Sequence, residues 1–126
     1  MIGIIGKKIG MTQLFGEKGD VLPVTVILAG PCTVTEVRTS PRDGYTAVQL
    51  GFGTNKETRF KRPVLGQFKK RNLTPARHLK EFRVAGTDGY QVGQSLTVSL
   101  FEKGEYVDVQ GVTKGRGFAG VVKRYK

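Results

Sequence analysis

The apolar residues of this chain fall in short runs of Val, Ile, Leu and Phe, and glycine-containing turns end each run before it reaches the length of a long helix. β-Branched and aromatic residues suit a pleated, half-buried surface. The 18 glycines among 126 residues supply the backbone conformations that tight turns need. They show no fixed period, which excludes a collagen-like repeat. Strands are expected at Ile9 to Phe15, Val24 to Leu28, Cys32 to Val37, Thr46 to Phe52, Lys80 to Val84, Leu96 to Leu100 and Tyr106 to Val109. In the fourth, Thr46, Val48, Leu50 and Phe52 alternate with Ala47, Gln49 and Gly51, the clearest half-buried strand pattern of the chain. Pro31 puts the start of the third at a bend or an edge. Turns are expected at Glu17 to Asp20 and Ser40 to Gly44, with a hairpin connection at Phe101 to Glu105. The fold class is therefore mainly β. A small antiparallel barrel is favoured over a sandwich, because so short a chain must hide its strand edges. The length fits one domain spanning 1–126.

Residues 54–83 change character. Ten basic residues stand there against Glu57 and Glu81, with His78 among them. Leu65 and Phe68 are spaced for a short helix after Pro63, and Thr74-Pro75 matches an N-cap followed by a first helical residue. A loosely packed, basic helical insert is expected.

The C-terminal stretch from Gly111 to Lys126 holds five basic side chains and no acidic one. It begins as a glycine-rich turn. Phe118, Val121, Val122 and Tyr125 then fall at i, i+3, i+4 and i+7, one face of a C-terminal helix. Lys123, Arg124 and Lys126 are left to face outward. Gly115 and Gly117 would open the helix, where free backbone N–H groups suit phosphate. Arg116 adds a planar, permanently charged fork for the same group.

Across the chain 21 Lys and Arg stand against 10 Asp and Glu, a net charge of +11. A domain this basic repels itself unless a polyanion neutralises it, and nucleic acid is the partner that composition favours. No apolar run approaches transmembrane length, and the start lacks a secretory apolar core and a myristoylation glycine. No membrane partner is expected. A single Cys32 rules out an internal disulfide framework and points to a reducing compartment, the cytoplasm.

Catalytic material is scarce, and no enzyme activity is expected. His78 is the one histidine and lies in a run of Arg and Lys, where a solvated or RNA-facing role suits it better than general base. One Cys and one His do not make an ordinary zinc site, and Cys32 fits a small buried hydrophobe. Asp20, Asp43 and Asp88 adjoin turn glycines, which explains them as turn residues. Gly115 to Gly120 fits the spacing G-x-G-x-x-G, but no strand–helix–strand unit surrounds it. No cofactor, metal or small-molecule substrate is expected.

Two motifs are similar to a known family. Ile4-Ile5-Gly6-Lys7-Lys8-Ile9-Gly10-Met11-Thr12-Gln13-Leu14-Phe15 resembles the start of bacterial large-subunit ribosomal protein L-three. Phe101, Asp108, Gly111, Thr113, Gly115-Arg116-Gly117, Gly120 and Arg124 keep that family's spacing. Pro23 to Ile27 and Val92 to Ser95 are also similar, so the resemblance runs from end to end. It implies a β-barrel like those of translation factors, a structural place in the ribosome, binding to large-subunit rRNA during early assembly, and neighbouring ribosomal proteins as partners. Carried onto this chain, it implies RNA contact at Lys7, Lys8, Lys114, Arg116, Lys123 and Arg124, with Gly115 and Gly117 allowing close backbone approach. Charge alone adds Lys61, Arg62, Lys69, Lys70, Arg71, Arg77 and Lys126.

The resemblance also implies a long extension toward the peptidyl transferase centre, beginning where this chain ends. That role is not carried onto these residues, and the barrel is expected to lack its last strands. An alternative is a truncated barrel that acts as a protein-interaction module, completed by a partner or a second copy.

Overall fold

The computed structural model describes residues 3–125. Nine elements follow in order: β1 (Gly6–Phe15), β2 (Val21–Ala29), β3 (Cys32–Arg38), α1 (Ser40–Asp43), β4 (Ala47–Thr54), α2 (Arg62–Lys70), β5 (Ala76–Arg83), β6 (Ser95–Leu96) and α3 (Val121–Tyr125). Single 3-10 turns lie at Glu57–Arg59 and Val98–Leu100. The fold is mainly β, with antiparallel pairing throughout.

β1 and β2 form a hairpin of their own. Its turn is closed by the Gly16 N–H donating to the Asp20 carbonyl at 2.8 Å, with Gly19 at φ +82°. Both faces of the ribbon carry apolar side chains. Met11, Phe15, Val21 and Ile27 alternate with Leu14, Leu22, Val26 and Leu28, and all eight are exposed, Phe15 by 73%. The base is tied down: the Gly30 N–H and the Cys32 thiol both donate to the Ile5 carbonyl, at 3.3 and 3.4 Å.

The other four strands form a second sheet in the order β5-β4-β3-β6. Its inner face holds the core: Cys32, Val34, Val48 and Leu50 are fully buried, and Leu96 nearly so. Ile4, Ile5, Val37, Phe52, Phe82, Val84, Tyr90 and Leu100 pack around them. Burial pushes the Cys32 thiol up, against the backbone hydrogen bonds that favour the thiolate. The thiol is a small core group, as its strand pattern implied.

α2 lies in the connection between β4 and β5. Pro63 sits in its first turn, where the missing N–H is no loss. Asn72 ends it at φ +53°, with Leu73 N–H reaching the Phe68 carbonyl and Asn72 N–H reaching that of Lys69. That is a Schellman cap with Asn in the left-handed position. Phe68 is only 4% exposed and meets Phe60 edge to face, with ring centroids 6.4 Å apart. The insert is thus better anchored than its charge implied.

Several expectations are corrected. The Thr74-Pro75 signal starts β5, not a helix, because pairing with β4 outweighs the local cap and the residue without an N–H precedes the ladder. Leu96 to Leu100 gives two strand residues and a 3-10 turn. Tyr106 to Val109 forms no strand, since no partner ladder reaches it, and Tyr106 is fully exposed. The C-terminal helix shrinks to Val121–Tyr125. Four glycines between 111 and 120 oppose helix formation, and no surface receives the apolar stripe: Phe118, Val121, Val122 and Tyr125 are all exposed. Among the described residues the strands make two separate sheets and no closed barrel.

Close packing makes Gly51 a sensitive point. A Cβ there would lie 2.7 Å from that of Ala76 and 2.9 Å from Thr35 Cγ2, short side chains with no room to swing aside. Gly51→Ala is expected to destabilise the chain by about 1–3 kcal/mol, read as a lower urea midpoint at unchanged slope. A midpoint equal to that of the parent would contradict the packing described.

Candidate nucleic-acid interface

The outer face of the four-stranded sheet carries charge that is neutralised locally. Glu36 is approached by three arginines: Arg71 Nη2 at 2.7 Å and Arg42 Nη2 at 3.3 Å on one oxygen, and Arg38 Nη2 at 3.3 Å on the other. Arg38 also donates to Asp43 at 3.0 Å and to Glu81 at 2.9 Å, and Arg42 donates to Asp43 at 2.9 Å. The Tyr45 hydroxyl donates to the second Glu81 oxygen at 2.8 Å. Three carboxylates and three guanidinium groups therefore balance.

These contacts set the acid–base behaviour. The Tyr45 hydroxyl, then Arg38, hold the Glu81 carboxyl below its ordinary value of 4.5 against partial desolvation. Desolvation would raise Asp43, but hydrogen bonds from Arg42, the Thr39 N–H and Arg38 together hold it below 3.8. The bond to Glu81 raises the Tyr45 phenol and is also the largest cause of the raised Arg38 value.

The remaining basic side chains are placed differently. Among the described residues, no Lys or Arg other than Arg38, Arg42 and Arg71 has an ion-pair partner. Lys7 and Lys8 are exposed on β1, next to a register slip at Ile9. Lys61 caps α2, Arg62 opens it, and Lys69 and Lys70 end it, all exposed. The last two suit the negative end of the helix dipole, whereas Lys61 and Arg62 crowd its positive end. Arg77 is exposed on β5, beside Gly53. His78, Lys80 and Arg83 share that edge strand.

The second group lies on the tail. Lys114, Gly115, Arg116 and Gly117 are exposed in irregular chain, Gly117 at φ +71°. They do not open a helix, so the expected helix-terminal phosphate site is withdrawn for Gly115 and Gly117. Lys123 and Arg124 are exposed in α3, the Arg124 guanidinium lying 5.4 Å from the Tyr125 ring centroid. Lys126 lies outside the described residues.

Arg38 and Arg42 had no place in the sequence-based site, and neither had the carboxylates facing them. The signal available was Glu36 and Arg38 side by side with Arg42 and Asp43 in one short segment. Among the described residues no set of His, Cys, Asp and Glu would hold a metal ion. No described helix is long and apolar enough to cross a membrane.

Known proteins are similar to this chain over nearly its whole length. The chain is 54% identical over 125 residues to the large ribosomal subunit protein uL3 of Brachyspira pilosicoli, covering 99% of this chain and 57% of that protein. It belongs to the ribosomal protein L3 family. The uL3 protein of Picosynechococcus sp. is 54% identical over 98% of this chain and 59% of its own length. That of Nocardia farcinica is 53% identical over 98% of this chain and 56% of its own. A family model described as Ribosomal protein L3 matches residues 79–126, from β5 to the end of the basic tail. The chain thus spans a little under three-fifths of the curated uL3 relatives it matches. Their names are those of a ribosomal protein, not of an enzyme.

The carboxylate network makes stability depend on acid. Asp43 and Glu81 titrate lower when folded than their ordinary 3.8 and 4.5. Their contribution is complete above those values and is lost as pH falls through the folded ones. The unfolding temperature is expected to drop as pH goes from about 5 to about 3, and less steeply in Glu81→Gln. A flat profile for the parent over that window would rule out the network as a stabiliser.

Proposed function

We propose that this chain is a structural, RNA-binding constituent of the large ribosomal subunit in the cytoplasm. In this reading residues 1–126 form one barrel-type domain, and the strands that close it come from the relatives' further length. Lys7, Lys8, Lys61, Arg62, Lys69, Lys70, Arg77, Lys114, Arg116, Lys123, Arg124 and Lys126 neutralise rRNA phosphates. Gly115 and Gly117 let the backbone approach them. Neighbouring ribosomal proteins are its other partners, and assembly of the subunit is where it acts.

The observation that carries the reading is the sorting of charge in a uL3 relative. The sheet face balances its own arginines, while α2 and the tail display cations without carboxylates. Such a surface stays strained by repulsion until a polyanion covers it.

The test is filter binding to a large-subunit rRNA transcript across a salt series. The log–log slope is expected at about −0.7 to −0.9 per phosphate contact. Lys114→Ala and Arg116→Ala are each expected to make the slope shallower by about that amount. Neither should move the unfolding temperature, since both side chains are exposed and without an ion-pair partner among the described residues. Binding that ignores salt, or no binding to the transcript, rejects the reading.

One feature favours a second reading, an interaction module: the hairpin with apolar side chains exposed on both faces. A dimer that grows with concentration in light scattering would support it, and a monomer at high concentration would argue against it.

A further inference from the structure

The basic insert contains almost no acid of its own. From Thr58 to Lys80 there is no Asp or Glu, while α2 and its flanks carry Lys61, Arg62, Lys69, Lys70 and Arg71. Mutual repulsion should lift such a helix off the sheet, and one apolar anchor, Phe68, opposes it. Arg71 adds a second. Its guanidinium meets Glu36 on β3 at 2.7 Å, and among the described residues this is the one ion pair joining the insert's helical part to the sheet. Both side chains are largely shielded, 28% and 16% exposed, so salt screens the pair less than an open surface contact.

Arg71 is well placed to transmit position. It lies between the last turn of α2 and the left-handed Asn72, within the Schellman cap, where backbone hydrogen bonds fix the chain. Lys69 and Lys70 immediately precede it. Holding Arg71 therefore fixes the last turn of α2 and the direction of those two lysines.

We propose that Glu36 is a positioning residue for RNA recognition. Through Arg71 it clamps the end of α2 to the sheet, so that Lys69 and Lys70 meet phosphates with set spacing. Arg71 is the tether, not a phosphate contact. This inference rests on the RNA-binding reading above.

Charge arithmetic makes the test sharp in sign. Glu36→Gln removes a negative charge, which by long-range electrostatics alone tightens binding to a polyanion. A lost clamp weakens it. With the same rRNA transcript, Glu36→Gln is expected to bind roughly three- to tenfold more weakly than the parent, as for a site left loose by its supporting residues. Glu57→Gln makes the same charge change on a residue that has no ion pair among the described residues, and should bind as tightly as the parent or more tightly. Arg71→Gln loses the clamp together with a cation and should bind at least as weakly as Glu36→Gln, and the double variant should be no weaker than Arg71→Gln alone, because both remove one coupled pair. Arg71→Gln also keeps the test alive if Glu36→Gln does not fold.

Hydrogen exchange on the chain without RNA gives an independent readout. Amides from Phe68 to Leu73 should exchange faster in both single variants, relative to those of β4. If the parent does not bind the transcript, the RNA reading falls, and the exchange data still judge the clamp. The proposal is overturned if Glu36→Gln binds as tightly as the parent or more tightly. It is equally overturned if the effects of the two single variants add, or if the exchange rates do not change.

Discussion

Between Val34 and Glu36 the ladder joining β3 to β4 slips by one residue, and the side chains of β3 change sides at that slip. In a regular strand Cys32, Val34, Glu36 and Arg38 would share one face. With Thr35 as the extra residue, Val34 pairs with Leu50 and Val37 with Val48, both toward the core, while Glu36 and Arg38 turn to the opposite side. Thr35 is itself buried, its hydroxyl within hydrogen-bonding distance of the Gln49 side-chain oxygen at 2.8 Å and carbonyl at 3.2 Å. A bulge of this kind re-aims side chains. Here it keeps a carboxylate and a guanidinium out of the core and builds the charged face in the same step.

From that bulge follows a division of labour between cations. On the sheet, arginines meet carboxylates at hydrogen-bonding distance and the charge is internally balanced. Among the described residues, the lysines and arginines of α2 and the tail have no such partners and are exposed. Burying a charge without a partner is expensive, so the unpaired cations lie where water or a polyanion can reach them. The neutral face and the basic periphery meet at Arg71, which among the described residues is the one residue of the insert's helical part that belongs to the network.

The sheet strands were legible because their apolar residues alternate. β4 matched its pattern almost residue for residue, and the helix after Pro63 appeared with Phe68 inward. The strand expected at Cys32 to Val37 carries a bulge, and the spacing of Val34 and Val37, three apart, is the trace that the bulge leaves in the sequence. Local cap chemistry at Thr74 and Pro75 misled because a strand partner far along the chain outweighed it. The tail misled for the opposite reason. Its helical periodicity is real, but periodicity forms a helix only where something packs against the stripe. Of the site, the unpaired basic residues were visible as charge. The pairing of Arg71 was not, because Glu36 is distant in sequence.

The hairpin of β1 and β2 has a consequence for the order of folding. Its strands are neighbours in the chain, joined across residues 16–20, so its closure is fast and independent of the rest. β4 and β5 are separated by residues 55–75, and their pairing waits on a much longer loop. The hairpin is therefore the part whose ends meet most readily, while the apolar groups on both its faces stay exposed. Uncovered, it is a sticky edge for other copies of the chain, and the charges that keep copies apart sit at its two ends, Lys7 and Lys8 at the base and Glu17, Lys18 and Asp20 at the turn.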